Sequence, residues 1–308
     1  MRATKLNKPR AASYAAVGLM IAFLVPASAS AGHPSTGPDA MTLDIEDYVG
    51  TLRIIPNTED KIEIISVEDG VGNLGTLSVS TDEDGGVSVR GAPASLAMNC
   101  ARTNGELSIS FDNGEMHPIG DFPTVVISAP TSTNVRISMR AGDAEISDAD
   151  NLEILAGGCS RIIANNVTDT FRLTTTGALA LEMSGAEVAE IDASHGGHIR
   201  ISEIRNRLHA CLGRTSRLVS DQLTGTAEIY QSGTSRITLD SVTLTDITAE
   251  LDGTATLQMA GTASDARMSL GGASQVKVSN GITLAHVDLQ RAGRLLVDGV
   301  RWKGTGND

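Results

Sequence analysis

The chain has 308 residues, a formal net charge of −13, and only 3% aromatic residues. An acidic balance of this size repels nucleic acid and anionic lipid surfaces, so neither is an expected partner. Three cysteines, Cys100, Cys159 and Cys211, contain no C-x-x-C pair and allow at most one intramolecular disulfide.

At the N-terminus Arg2, Lys5, Lys8 and Arg10 precede the apolar run 15–25, followed by Pro26 and the triplet Ala29-Ser30-Ala31. This order predicts a Sec-type signal peptide over residues 1–31, cut after Ala31. The run falls short of the ~20 residues that a membrane-spanning helix needs, and nothing later is apolar enough, so no span is expected in the mature chain. Cleavage removes four basic residues, takes the charge from −13 to −17, and places the protein in the periplasm or outside the cell. Residues 32–40, with His33, Pro34, Ser35 and Pro38, read as a flexible lead.

Residues 41–134 predict strands at 43–54, 61–66, 76–80, 87–90, 106–111 and 123–128. They read as irregular first coils plus a cap, because an exposed edge strand templates aggregation. The run Asp82-Glu83-Asp84-Gly85 lacks the full spacing of a calcium loop and reads as a turn.

From 135 to 302 the chain repeats itself: QSGTSRITL at 231–239 returns as LDGTATLQM at 251–259. Gly142, Gly158, Gly177, Gly197, Gly213, Gly233, Gly253, Gly272 and Gly293 follow one another at intervals of 16, 19, 20, 16, 20, 20, 19 and 21 residues. Four residues after most of them stands an apolar residue, as in Ile162, Leu181, Ile201, Ile237, Leu257 and Val276. Upstream come alternating pairs such as Phe171/Leu173, Ala227/Ile229 and Ile247/Ala249. Each unit thus holds two short strands hinged at a glycine, with small residues Ser160, Thr215, Ser235, Ala255 and Ser274 two positions after it. No window after residue 40 sustains helical periodicity. A period near twenty is too short for a propeller blade and too regular for a sandwich. The expected fold is all-β, a parallel β-solenoid (β-helix) of about 19–20-residue coils with an irregular N-terminal β cap. Trp302, the only tryptophan, is expected over the last coil, with 303–308 as a tail.

The turns Gly-Cys-Ser (158–160), Gly-Thr-Ser (233–235), Gly-Thr-Ala (253–255) and Gly-Ala-Ser (272–274), with the strand–turn–strand element at 43–54, resemble those of the head GIN domain family. The resemblance covers about residues 40–300. It implies a parallel β-solenoid and a role as the head of an autotransporter adhesin, and it brings no catalytic residues. No set of ~10-residue amphipathic strands for a membrane barrel follows the solenoid, so autotransport by this chain alone is not expected.

Three groups of residues are candidates for chemistry. His195, His198, His209 and Cys211 cluster in sequence, but strand parity puts His209 and Cys211 outward while His195 shares the parity of inward Ile191 and Ala193. The four do not converge, and no metal or other cofactor is expected. Arg161, Arg200, Arg217 and Arg236 each precede an inward residue, the last three on successive coils. They read either as a ladder for an anionic glycan or as charges interleaved with Glu182, Glu203, Asp221 and Asp240. Among the cysteines, Cys159 and Cys211 lie about 13 Å apart at the usual strand spacing, beyond the ~7 Å reach of a disulfide. Cys100–Cys159 stays open and would tie the N-terminal part to the solenoid.

These readings predict an exported cell-envelope solenoid that acts as an adhesin-like or structural binding module, without catalysis. The expected partners are an envelope or extracellular polysaccharide, another envelope protein, or further copies of the chain. The alternative is a carbohydrate-active enzyme, a polysaccharide lyase or hydrolase, on the same fold. That reading needs paired carboxylates in a groove lined by aromatics, which this composition hardly supplies.

Overall fold

The computed structural model describes residues 41–303, apart from 73, 94–97, 113 and 176. The signal peptide and lead expected over 1–40 and the end of the tail at 304–308 lie outside the described residues.

Apolar residues at a spacing of two, many of them β-branched, favour a pleated strand with one buried face. Here they wind into a parallel β-solenoid of about nine turns, roughly 19 residues apart. Ile162, Leu181, Ile199, Leu218, Ile237, Leu257, Val276 and Leu295 stand in register on successive coils. All are buried, and each such side chain contributes about 1.5–3 kcal/mol by leaving water. On the other face of the coil, one inward column reads Phe171, Ala189, Leu208, Ala227, Ile247 and Ala266. The column beside it reads Leu173, Ile191, Ala210, Ile229, Ala249 and Met268. From Ala189/Ile191 onward, a large residue in one column meets an alanine in the other, so bulky and small side chains share each layer.

The two strands expected per unit are one long bent strand, as in Ala178–Ala193, His198–Leu212, Arg217–Gln231, Arg236–Leu251 and Thr256–Leu270. Midway along each coil, the chain bends around a third buried column of Val167, Ala186, Ile204, Leu223 and Val242.

The turn between coils is a corner with one residue at positive φ. Gly233 (67°), Gly253 (72°) and Gly272 (60°) occupy it, and in two coils so do Arg214 (50°) and Arg291 (58°). The corner positions therefore run Arg214, Gly233, Gly253, Gly272, Arg291, at intervals of 19, 20, 19 and 19. Neither Gly213 nor Gly293 is the corner residue, so from Arg214 onward the interval holds at 19 or 20 residues. After each corner residue, the next N–H donates to the corner carbonyl one coil back: Thr234 to Arg214, Thr254 to Gly233, Ala273 to Gly253 and Ala292 to Gly272. The buried small residue that follows is Ser216, not the exposed Thr215, in line with Ser235, Ala255 and Ser274.

The N-terminal part holds a first coil, Thr42–Asn57, paired in parallel with Asn134–Ile146 and broken in register between Ile45 and Val49. The chain between them folds back over the end of the solenoid. Val87–Pro93 and Thr124–Pro130 lie parallel to the first coil, and Gly75–Thr81 and Glu63–Glu68 lie antiparallel outside them. Tyr48 is fully buried beneath this cap, its hydroxyl 2.6 Å from the Thr51 carbonyl and 2.9 Å from that of Pro123. Asp82 accepts the N–H groups of Asp84 and Gly86, which makes residues 82–86 a hairpin loop.

A strand that the sequence reading passed over, Met98–Thr103, pairs with Glu106–Phe111, which in turn pairs with His117–Pro118. This small sheet packs Leu107 and Ile109 with Phe122 against Val49 and Ala141 beside the first corners. At the far end of the solenoid Trp302 is half-buried against the core, its backbone N–H donating to the Leu295 carbonyl.

Candidate functional site

The side chains that point outward decide what the solenoid can touch, and its two long faces differ in charge. On the face that precedes each corner, one outward column reads Asp44, Arg136, Glu153, Arg172, Glu190, His209 and Glu228. Carboxylates alternate coil by coil with Arg136, Arg172 and then His209, an arrangement that stabilises cross-strand neighbours. Arg136 reaches Glu153 at 3.2 Å, Arg172 reaches Glu190 at 2.8 Å, and His209 Nδ1 lies 3.1 Å from Glu228. Arg207 adds a second contact to Glu190 at 3.0 Å.

The face that follows each corner carries the expected arginines, with one change of position. Its first outward column reads Arg161, Ala180, His198, Arg217, Arg236, Thr256, Gln275 and Arg294. Arg200 belongs to the second column, in line with Glu182, Val219, Thr238, Gln258 and Lys277. His198 holds the place in line with Arg217 that the sequence reading gave to Arg200. The error was a slip of two residues, which leaves every inward residue inward and so escapes a period-two pattern.

From Arg161 onward these two columns hold Arg161, Arg200, Arg217, Arg236, Lys277 and Arg294 against the single acid Glu182. Arg200 is neutralised by a two-pronged bond to Asp221 at 2.7 and 2.8 Å. Among the described residues the other five cations have no ion pair. Arg161, Arg217 and Arg236 are exposed, and Arg217 and Arg236 face each other on adjacent coils. Two like charges at strand spacing cost on the order of 1 kcal/mol in water. Ala180, with only a methyl group, leaves a shallow depression of about 240 Å³ bordered by Glu182, His198, Arg200, Arg217 and Val219.

The histidine and cysteine candidates separate. His195 is exposed at a corner beside Ser194, and His198 stands on the basic face. His209 and Cys211 share the charge-paired face, with Sγ 3.6 Å from Nε2. No group of three or more metal-ligating side chains forms among the described residues. Burial, then the nearby Asp192 and Glu228 carboxylates, pushes the Cys211 thiol up, which favours the protonated thiol. Cys100 and Cys159 form a disulfide with Cα atoms 6.1 Å apart, which joins the small sheet to the corner at Gly158. Arg102 and Asp143 form an ion pair across the same junction.

No protein family, curated protein or solved structure matches this chain. The basic columns could be found in sequence only through the coil register, since each arginine taken alone looks like any surface charge.

Proposed function

We propose that this protein is an exported binding module of the cell envelope that holds an acidic polysaccharide against its basic face, without acting on it chemically. The observation that carries the reading is the contrast between the faces. On one, cations and carboxylates alternate and pair. On the other, Arg161, Arg217, Arg236, Lys277 and Arg294 stand without acid partners among the described residues, on a chain whose net charge is −13. Cations spread along one face, with Arg217 and Arg236 on adjacent coils, suit a polymer that carries many carboxylates or sulfates, and guanidinium groups bind both bidentately. The signal-peptide pattern and the resemblance to the head GIN domain family support an adhesin-like role at the envelope.

The test is retention of the purified protein on immobilised acidic and neutral polysaccharides, beside an Arg161→Ala/Arg217→Ala/Arg236→Ala variant. Retention on acidic polymers alone, lost in the variant, is expected. Equal retention of both proteins overturns the assignment of the face. Release of reducing ends or unsaturated sugars from the bound polymer would make the protein a hydrolase or lyase instead.

A further inference from the structure

The two ends of the solenoid are unlike, and they are complementary. At the C-terminal end the strand Ile282–Leu289 pairs with Thr256–Leu270 on one edge. Its other edge has no strand partner among the described residues. The inward residues Ile282, Leu284, Val287 and Leu289 are only half-buried, whereas Ala263, Ala266, Met268 and Leu270 one coil earlier are fully covered. A depression between Leu284, Val287, Leu289 and Trp302 opens at this end. Residues 275–303 carry Lys277, Arg291, Arg294, Arg301 and Lys303 against Asp288 and Asp298.

At the N-terminal end the outermost strands are Gly75–Thr81 and Glu63–Glu68. Each pairs on one edge only among the described residues. They expose Ile65, Val67 and Val79. Residues 58–90 carry Glu59, Asp60, Glu63, Glu68, Asp69, Asp82, Glu83 and Asp84 against Lys61 and Arg90. Lys61 is itself paired with Glu59 and Glu63.

We infer that copies of this chain associate head to tail, the basic C-terminal end of one seating on the acidic N-terminal cap of the next. The strand register says which edges meet. Gly75–Thr81 lies beyond Val87–Pro93 on the same face that Ile282–Leu289 closes at the other end. Coaxial stacking therefore brings an eight-residue edge onto a seven-residue edge in antiparallel sense, and strand addition satisfies both rows of backbone groups. The contact uses two different surfaces and leaves one free at each end, so it propagates into a filament rather than closing as a dimer. The opposite charges of the ends set the polarity and disfavour contacts between like ends.

Sedimentation velocity of the purified protein tests this across a dilution series at low and high salt. A mass that rises with concentration without levelling at a dimer, and falls back to the monomer in high salt, is expected. Two variants separate the ends: Arg301→Glu/Lys303→Glu and Glu83→Lys/Asp84→Lys, all surface changes with no ion pair among the described residues. Each alone should lose assembly, and an equimolar mixture should regain it at the junction of the two reversed ends. A monomer at every concentration overturns the inference, as does undiminished association of either variant.

Discussion

Arg214 and Arg291 sit at φ values of 50° and 58°, where a side chain crowds the following carbonyl and costs about 1–2 kcal/mol. Glycine removes that strain but loses more entropy on folding. Arg214→Gly and Arg291→Gly should therefore each stabilise the protein by roughly 0.5–1 kcal/mol, read as a rise in Tm. The reverse change, Gly233→Ala, puts a Cβ 2.9–3.0 Å from the backbone of Arg214 and should cost about 1–3 kcal/mol. Leu257 is fully buried in the longest inward column, so Leu257→Ala should cost ~2–5 kcal/mol in a denaturant melt. An unchanged midpoint would contradict the register. The phenol of Tyr48 is held well above its ordinary range by burial. The unfolded chain ionises near pH 10 while the folded one does not, so stability is full below that pH and falls as pH rises past it, by about 1.4 kcal/mol per unit. Tyr48→Phe should flatten this alkaline limb. The inward residues were readable in sequence because alternation records burial directly. Arg214 and Arg291 were not, since nothing in an arginine announces a positive φ and the adjacent Gly213 offered a false corner.

Strands differ in how strongly their sequence announces them. Those after each corner, such as Arg236–Leu251 and Thr256–Leu270, alternate in short stretches on either side of the mid-coil bend, as at Ile237/Leu239 and Ile247/Ala249/Leu251. In Met98–Thr103 the residues from Asn99 to Thr103 are exposed or half-buried, so the strand's place depends on the partner Glu106–Phe111 and on the disulfide. The bond closes a span of 59 residues and should contribute about 2–4 kcal/mol. Cys100→Ser/Cys159→Ser should then speed hydrogen exchange in residues 98–121 while leaving the coils after Ala178 protected. Loss of protection throughout would mean that the small sheet holds the whole solenoid together. Within the coils, the pairing of large residues with alanines predicts that Ala249→Leu, which puts a second large side chain in the layer of Ile247, costs about 1–3 kcal/mol by overpacking.

For the molecule as a whole, the coil converts a one-dimensional repeat into separate surfaces, and each acquires its own charge pattern. One long face is a paired ladder, the other carries cations without ion pairs among the described residues, and the ends carry opposite signs. The repeat length that reveals the fold also determines which arginines share a column, but only once the corner residue is correctly placed. A two-residue slip kept Arg200 in the ladder and left His198 out of it, with no penalty visible in the hydrophobic pattern. The net charge of −13 gave no hint of a basic face, because a sum over the chain is blind to where the coil sends each side chain.

The most direct test compares equal losses of charge on the two faces. Equilibrium binding to polygalacturonate would be measured for the unaltered protein, for Arg217→Gln/Arg236→Gln on the basic face, and for Arg136→Gln/Arg172→Gln on the paired face. Binding lost in the first variant and kept in the second is the result predicted here. Equal weakening in both would show that only net charge matters and would contradict a dedicated basic face.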